Sequence, residues 1–206
     1  MIATILTIGS EVLAGDVLNK NARNFSIELN DLGFKVEKHI SIDDDFNMVV
    51  KTIQEEVESK KVILITGGLG PTKDDLTKAA VAKAIDKEKL VLNYESYTRL
   101  ISYFKNRKLA LESNLSQAYF PSGSIVLKNY LGTADGFMIE HNETIIVVLP
   151  GPPRENLPMF NKKVRPILAS KTDRRYVSKY YRIYGIGEWE TELRIKDLID
   201  GSDEIA

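Results

Sequence analysis

The sequence predicts a three-layer α/β domain with a mostly parallel sheet over residues 1–170. Short apolar segments rich in β-branched residues alternate with segments whose apolar residues repeat at helical spacing. Loops rich in glycine or proline follow several of the strand-like segments, which is where open α/β sheets bind their ligands. The β-α-β order implies parallel strands joined by right-handed crossovers.

The first half of the chain alternates regularly between the two patterns. The strand-like segments are apolar or alternate in polarity, and the helical segments keep their apolar residues on one face. We expect strands at residues 2–8, 34–42 and 62–65, and helices at about 22–32, 46–57 and 76–84.

The second half is less regular and leads into a further small domain. We expect helices at 94–108, 112–119 and 155–168, strands at 125–127, 136–140 and 144–149, and a hairpin turn at His141-Asn142. A polar stretch at 170–175 suggests a boundary, followed by a strand at 176–184 and an amphipathic helix at 188–199. One strand and one helix cannot bury a core, so residues 176–206 are expected to be the beginning of a second domain.

Composition excludes several functional classes. The chain has 28 Lys and Arg against 29 Asp and Glu, a net charge of −1, whereas a nucleic-acid surface is normally strongly basic. With no cysteine there is no disulfide, thiolate nucleophile or cysteine metal site. The N-terminus lacks a basic signal-peptide region, and no apolar run is long enough to span a membrane. We expect a soluble cytoplasmic protein that binds neither nucleic acid nor a membrane.

The segment VILITGGLGPTKDDLT at residues 62–77 is the strongest indication of a binding site. A buried strand is expected to end at three closely spaced glycines, whose backbone N–H groups could bind a phosphate. Pro71 fits the start of a helix, and Thr72 with Asp75 has the spacing of a helix cap. The loop matches neither G-x-x-x-x-G-K-[ST] nor G-x-G-x-x-G. It is therefore either the floor of a new ligand site or a simple turn in which Asp75 only caps the helix.

Four such loops, at residues 9–16, 67–75, 132–137 and 150–155, favour the ligand site. Together they predict a cleft walled largely by backbone and suited to phosphates and a ribose. His141 lies at a turn, so a nucleophilic triad has little support. Carboxylates beside a phosphate site instead favour Mg²⁺ or a similar hard cation and metal-assisted hydrolysis or transfer at a phosphoanhydride. The acids near these loops are Glu11, Asp16, Asp74, Asp75, Asp135 and Glu155.

Several motifs resemble the N-terminal domain of the CinA family, named as competence/damage-inducible proteins. They are TGGLGPTKDDLT at 66–77, GTADGF at 132–137 and LPGPPRE at 149–155, preceded by IGSEVLAG at 8–15 and NKNA at 19–22. Asn114 and Gln117-Ala118 resemble a further family element. The resemblance covers about residues 1–170 and implies the molybdopterin-binding fold shared with MoaB, Mog and the MoeA/gephyrin proteins. Residues 176–206 resemble the start of the small α+β KH-like domain of CinA.

The resemblance implies ADP-ribose pyrophosphatase activity, the metal-dependent hydrolysis of ADP-ribose to AMP and ribose 5-phosphate, and a homodimer. The implied catalytic residues are Asp75, Asp74 as second choice, and Glu11, with Asp75 and Glu11 as ligands of a divalent metal ion. Independently of the resemblance, Ser10 and Thr66 could be nucleophiles in principle, but we expect their hydroxyls to position phosphate or ligand instead. The candidate substrate-binding residues are Gly9, Ser10, Asn21, Thr66, Gly67, Gly68, Leu69, Gly70, Thr77, Asn114, Gln117, Thr133, Pro150, Gly151, Pro152 and Glu155.

Two departures from the family pattern keep alternatives open. Asp135 stands where the family usually has proline, and we expect it to add a charge to the cleft rim. Asp74 replaces a residue that is often arginine in Mog-like relatives, which weakens the case for pterin chemistry. The C-terminal CinA domain that deamidates nicotinamide mononucleotide is absent from these 206 residues, so that activity is not assigned. The alternatives are a molybdopterin-binding or molybdopterin-adenylylating protein, and a non-enzymatic ligand-binding or assembly module.

Overall fold

A computed structural model of the chain describes residues 1–57, 61–87, 89–105, 108–172 and 182–200. The chain divides into two compact units, Met1–Tyr176 and Val177–Ala206. The second unit contains a helix at Glu188–Asp200, close to the expected one. The strand expected at 176–184 lies mostly outside the described residues, and the KH-like assignment stays a prediction.

A six-stranded sheet forms the centre of the first unit. Its order is β2-β1-β3-β8-β7-β6, with β2, β1, β3 and β8 parallel and with β7 antiparallel to both β8 and β6. The predicted mostly parallel sheet is confirmed. A separate antiparallel pair, β4 with β5, was not predicted. The strands of the described residues are β1 Ile2–Ile8, β2 Lys35–Ile42, β3 Lys61–Thr66, β4 Leu90–Leu92, β5 Tyr119–Pro121, β6 Ile125–Leu127, β7 Gly136–His141 and β8 Thr144–Leu149.

Helices cover both faces of the sheet. A 3-10 turn at Leu115–Ala118 follows α6, and a π-helical turn at Phe160–Val164 joins α7 to α8 just after Pro158, which lacks the backbone N–H that a regular helix needs. The described helices are α1 Ser10–Leu13, α2 Lys20–Asp31, α3 Phe46–Val57, α4 Thr77–Ala84, α5 Tyr94–Tyr103, α6 Lys108–Asn114, α7 Pro153–Met159, α8 Arg165–Ala169 and α9 Glu188–Asp200.

The central strands are buried on both faces, which explains their continuous apolar runs. Along β3, Val62 and Leu64 pack in one core with α2 and α8. Ile63 and Ile65 alternate to the opposite face and pack in a second core with α3 and α4. The three-layer α/β/α architecture is therefore confirmed. No helix in the described part of the chain is both long and apolar enough to cross a membrane.

The helix after the glycine loop begins close to the expected residue 76 but later than Pro71, which the loop motif suggested as its start. It starts at Thr77 rather than Pro71, and its N-cap residue, Leu76, makes no side-chain capping bond. The prediction that Asp75 caps this helix is wrong. Its carboxylate instead bonds the N–H groups of Gly70 and Thr72, which keeps residues 71–76 in a loop.

Two further boundaries differ from the sequence prediction. The helix expected at 94–108 ends at Tyr103, and the next helix begins at Lys108 rather than near 112. The hairpin turn lies at Asn142 and Glu143, which both have positive φ, at 47° and 64°. It is one residue later than predicted because β7 continues through His141.

Candidate functional site

A cavity of about 1080 Å³ lies where β1, β3 and β8 end. Gly9, Gly68, Gly132 and Gly151 all line it, each from a different loop. The carboxyl ends of parallel strands meet at one edge of a sheet, and that edge is the usual ligand position in open α/β folds. The predicted clustering of the four loops is confirmed.

The glycine loop at the end of β3 requires glycine at two positions. Gly67 and Gly68 have positive φ, at 105° and 65°. A Cβ at Gly67 would lie 2.1 Å from the Ile8 carbonyl oxygen, and one at Gly68 would lie 2.1 Å from Thr77 Oγ1. Thr77 cannot move away freely because its hydroxyl donates to the Gly67 carbonyl at 2.9 Å. Neither position therefore has room for the Cβ atom of a larger residue.

Only the middle of this loop offers backbone N–H groups to a ligand. The N–H of Gly67 donates to the Leu149 carbonyl at 3.1 Å, and that of Gly70 donates to Asp75 Oδ1 at 2.6 Å. Within the described residues, the N–H groups of Gly68 and Leu69 have no protein acceptor. The expectation that the N–H groups of all three loop glycines could bind a phosphate is wrong, because those of Gly67 and Gly70 are engaged; the N–H groups of Gly68 and Leu69 are available.

Asp75 holds the loop together and still has acceptor capacity. Its Oδ2 accepts from the Thr72 N–H at 2.8 Å and from Thr72 Oγ1 at 2.7 Å, while Oδ1 accepts from Gly70. Each carboxylate oxygen has two lone pairs, so Oδ1 keeps one acceptor position. The neighbouring Asp74 is exposed and lines the same cavity.

Two buried asparagines support the loop after β8. Asn21 Nδ2 donates to the Gly151 carbonyl at 2.8 Å. Asn156 Nδ2 lies 3.0 Å from Asn21 Oδ1 and 2.9 Å from the Pro150 carbonyl oxygen. Gly151 in turn lies against Gly67, whose Cα would be 3.8 Å from a Cβ at Gly151. Asn21 therefore holds the backbone of the loop after β8 in place. Asn156, which the sequence analysis missed, does the same.

Asn129 organises the loop before β7. Its Oδ1 accepts from the N–H groups of Leu131 and Gly132 at 2.9 and 3.0 Å. Its Nδ2 donates to Glu155 Oε2 at 2.9 Å, which ties this loop to the start of α7. A Cβ at Gly132 would lie 2.3 Å from the same Glu155 oxygen. Glu155 thus joins two walls of the cavity, and the sequence analysis had not singled out Asn129.

Asp135 is not on the cavity rim, so that expectation is wrong. Its side chain is 2% exposed and pairs with Arg99 at 2.5 Å. It also accepts from Ser96 Oγ at 2.7 Å and from the Asn129 N–H at 2.6 Å. Arg99 and two hydrogen-bond donors compensate the buried charge of Asp135. Its carboxylate stabilises the loop before β7 on the side away from the cavity.

Lys78 is a buried cation that the sequence analysis missed. It is 7% exposed, donates to the Gln117 carbonyl at 2.6 Å, and lies 4.1 Å from the centre of the Phe120 ring. Burial lowers the pKa of Lys78 to about 7, and the charges of Asp135 and Asp75 oppose this change. Lys78 therefore fixes the backbone of a cavity residue.

Two buried polar atoms beside the cavity have no partner among the described residues. They are Thr66 Oγ1 and Gln117 Oε1, on side chains that are 0% and 3% exposed. Leaving a buried polar atom unpaired costs about 1–3 kcal/mol. A bound ligand that hydrogen-bonds to these two atoms would remove this cost, so unpaired polar atoms are expected in a binding site.

Comparison with known proteins shows the family of this chain. Residues 4–170 match the family described as a probable molybdopterin binding domain. A protein of Acetivibrio thermocellus, named as competence-damage inducible, is 44% identical over 207 residues, covering 100% of this chain and 50% of that protein. A CinA-like protein of Kosmotoga olearia is 41% identical over 204 residues, 98% of this chain and 49% of that one. The crystal structure of CinA from Thermoplasma acidophilum is 26% identical with a TM-score of 0.75, covering 81% of this chain and 97% of that one.

The chain belongs to the CinA family. It spans about half the length of the curated CinA relatives it matches. MoaB from Thermus thermophilus, described as a molybdopterin biosynthesis enzyme, has a TM-score of 0.52 at 19% identity, over 85% of this chain and 99% of that one. This last likeness shows the fold alone, which is the predicted MoaB/Mog-like fold.

Most of the residues suggested by the CinA resemblance line the cavity, and three do not. Ser10 is exposed on α1, Thr77 uses its hydroxyl within the glycine loop, and Asn114 ends α6. Their proposed ligand contacts have no support in the cavity geometry. The candidates that line the cavity are Gly9, Glu11, Asn21, Thr66, Gly67, Gly68, Leu69, Gly70, Asp74, Asp75, Gln117, Thr133, Pro150, Gly151, Pro152 and Glu155.

The cavity of this CinA-family chain is also strongly acidic. Its cationic side chains are Lys20 and Arg154, and the sequence analysis had not singled out Asp44 as an acid of this site. A hydrogen bond with Asp43 and then partial burial raise the pKa of Asp44, and the charge of Asp74 contributes less. The carboxylates that line the cavity are Glu11, Asp16, Asp44, Asp74, Asp75 and Glu155.

The donor set fits a cation that is bound partly by its substrate. Across the described ranges, no three His, Cys, Asp or Glu side chains lie close enough to hold a metal ion by themselves. Mg²⁺ is commonly held by one or two carboxylates together with substrate phosphates and waters. Asp75, through its remaining Oδ1 position, and Glu11, which lies beside Gly9, suit that arrangement.

Proposed function

We propose that this chain is a metal-dependent nucleotide pyrophosphate hydrolase that converts ADP-ribose and water to AMP and ribose 5-phosphate. The observation that carries the proposal is the pairing of two unoccupied N–H groups, on Gly68 and Leu69, with the Asp75 carboxylate beside them. The N–H groups can donate to a pyrophosphate, and the carboxylate can accept from a water.

The described residues would act on different parts of the reaction. The N–H groups of Gly68 and Leu69 would hold the pyrophosphate oxygens and orient the anhydride. The remaining lone pair of Asp75 Oδ1 would accept a proton of the attacking water, whose oxygen forms a bond to one phosphorus. The bond from that phosphorus to the bridging oxygen breaks, and the bridging oxygen leaves on the other phosphate. Because the remaining Asp75 Oδ1 lone pair serves the water in this scheme, a divalent ion would be held by Glu11 together with the substrate phosphates and would neutralise phosphate charge.

The charge of the cavity supports metal dependence. Among the described residues, six carboxylates line the cavity and two cationic side chains oppose them. A pyrophosphate would be repelled by such a surface, because like charges in a partly enclosed site interact more strongly than in bulk water. A bound divalent ion reverses the local charge. We therefore expect ADP-ribose to bind weakly without a divalent ion and more tightly with one.

The test is to incubate the purified chain with ADP-ribose and a panel of divalent ions and to follow AMP release. Release with a divalent ion, and its loss with a chelator, supports the proposal. Calorimetry with ADP-ribose, AMP and a molybdopterin separates the alternatives. Tight binding of the pterin and no binding of the nucleotides would favour a role in molybdenum-cofactor synthesis. ADP-ribose binding with no turnover under any ion would favour a non-enzymatic module.

A further inference from the structure

The described residues 94–105 and 108–118 contribute side chains to the cavity lining and no strand to the central sheet. Tyr103 and Gln117 are the residues of these ranges that line the cavity. Tyr103 is also the single aromatic residue in the described lining. Its side chain is 67% exposed, and Phe104 packs edge-on against it with the ring centres 4.9 Å apart. A supported and accessible ring of this kind is suited to stacking on a nucleobase.

Gln117 supplies a hydrogen-bond acceptor on the same side of the cavity. Its Oε1 is buried and has no partner in the described part of the chain. Its backbone is held in place, because the buried Lys78 ammonium donates to its carbonyl at 2.6 Å. A ligand group that donates a hydrogen bond would satisfy the side-chain oxygen. This requirement distinguishes purine bases, because adenine carries an amino donor where hypoxanthine carries a carbonyl acceptor.

We propose that Tyr103 and Gln117 form a subsite that recognises 6-aminopurine nucleotides. The Tyr103 ring stacks on the base, and Gln117 Oε1 accepts a hydrogen bond from its exocyclic amine. Stacking is available to any base, so selectivity for adenine comes from Gln117. The inference rests on the proposed function, since it takes the ligand to be a nucleotide whose phosphates lie at the glycine loop.

Calorimetry with AMP, IMP and ribose 5-phosphate, in the presence of Mg²⁺, tests the subsite without requiring turnover. We expect wild-type protein to bind AMP about 10-fold or more tighter than IMP, from the loss of one hydrogen bond and an unpaired acceptor. Tyr103→Ala should weaken AMP binding by about 5- to 150-fold, the range for a lost stacking contact, and leave ribose 5-phosphate binding unchanged. Tyr103→Phe should recover most of the loss. The matched control is Tyr94→Ala, because Tyr94 is 74% exposed on the same helix and does not line the cavity.

Gln117→Met removes the acceptor and should abolish the preference for AMP over IMP. Gln117 is buried, so if this variant does not fold, the wild-type AMP/IMP ratio and the Tyr103 variants decide. Equal or tighter binding of IMP by the wild type overturns the role of Gln117. Equal losses of AMP and ribose 5-phosphate in Tyr103→Ala, or no binding of AMP, overturn the subsite. A preference for AMP in a protein that does not hydrolyse ADP-ribose would overturn the hydrolase function and leave the subsite supported.

Discussion

Replacing Asp75 by asparagine tests whether this residue acts in chemistry or only holds its loop. The carboxylate accepts three hydrogen bonds, from the Gly70 N–H at 2.6 Å, the Thr72 N–H at 2.8 Å and Thr72 Oγ1 at 2.7 Å. In asparagine one oxygen becomes an NH₂ group, which cannot accept, so at least one of these bonds is lost. A hydrogen bond to a charged group contributes about 1.5–3 kcal/mol. Since the side chain is partly exposed, we expect Asp75→Asn to lower the free energy of unfolding by about 2 kcal/mol.

This loss is larger than that of a simple helix cap, about 1 kcal/mol, and it should be visible in thermal unfolding. For a chain of this size it corresponds to a decrease in Tm of about 4–8 °C. If Asp75 also orients the water or holds the metal, ADP-ribose hydrolysis should fall by about 10²–10³. The assay is AMP release at saturating Mg²⁺ and at a temperature well below the Tm of every variant, so that stability does not limit the rate.

Thr72→Val is the matched control for this experiment. It removes one of the three hydrogen bonds to Asp75 but keeps the carboxylate charge, so it should lower Tm and retain most of the rate. Asp74→Asn separates the two neighbouring acids, because Asp74 is exposed and its carboxylate makes no hydrogen bond to the described residues. Unchanged turnover in folded Asp75→Asn would refute a chemical role for Asp75 and transfer the proposed role to Glu11 or Asp74.

Two further predictions concern stability. Burial lowers the pKa of Lys78 from 10.5 to about 7. Between about pH 7 and 10.5 the unfolded chain therefore binds more protons at this residue than the folded chain does. The free energy of unfolding should then rise with pH, by up to about 1.4 kcal/mol per pH unit. Lys78→Met should remove this contribution in urea unfolding across that pH window, and an identical slope in both proteins would contradict the assignment. Gly68→Ala should destabilise more than Gly15→Ala, because both have positive φ but only the Gly68 Cβ would meet an atom, Thr77 Oγ1 at 2.1 Å. Equal changes in Tm for the two glycine variants would contradict the close contact.

The sheet could be predicted because its central strands carry a strong local signal. Segments buried on both faces must be apolar at every position, as the run from Val62 to Ile65 is. The three-residue strands β4 and β5 lack such a signal, since Val91, Leu92 and Tyr119 stay substantially exposed. Strands this short are defined by their pairing with each other, which local periodicity does not report.

The position of the candidate site could also be predicted, but which of its backbone N–H groups are free to bind a ligand could not. Loops that follow parallel strands must meet at one edge, so their clustering follows from topology. Which N–H groups remain unoccupied depends on contacts between distant residues. The N–H of Gly67 is used by Leu149, from a neighbouring strand, and that of Gly70 by the Asp75 side chain. A sequence motif does not show these contacts, so the motif overstated the number of N–H groups that are available to a ligand.

Asp135 shows why the charge of the cavity could not be predicted from the sequence alone. Its sequence position, within a loop of the predicted cleft, suggested an exposed anion at the rim. The structure pairs it with Arg99 and buries it, so its charge is compensated behind the cavity wall. The negative charge of the cavity instead comes from residues such as Glu11, Asp44 and Asp75, which line it. Among the described lining residues, Lys20 and Arg154 alone oppose this set of carboxylates, so the proposed polyanionic substrate would be repelled without a bound cation, and the proposed dependence on a divalent ion rests on the placement of these side chains.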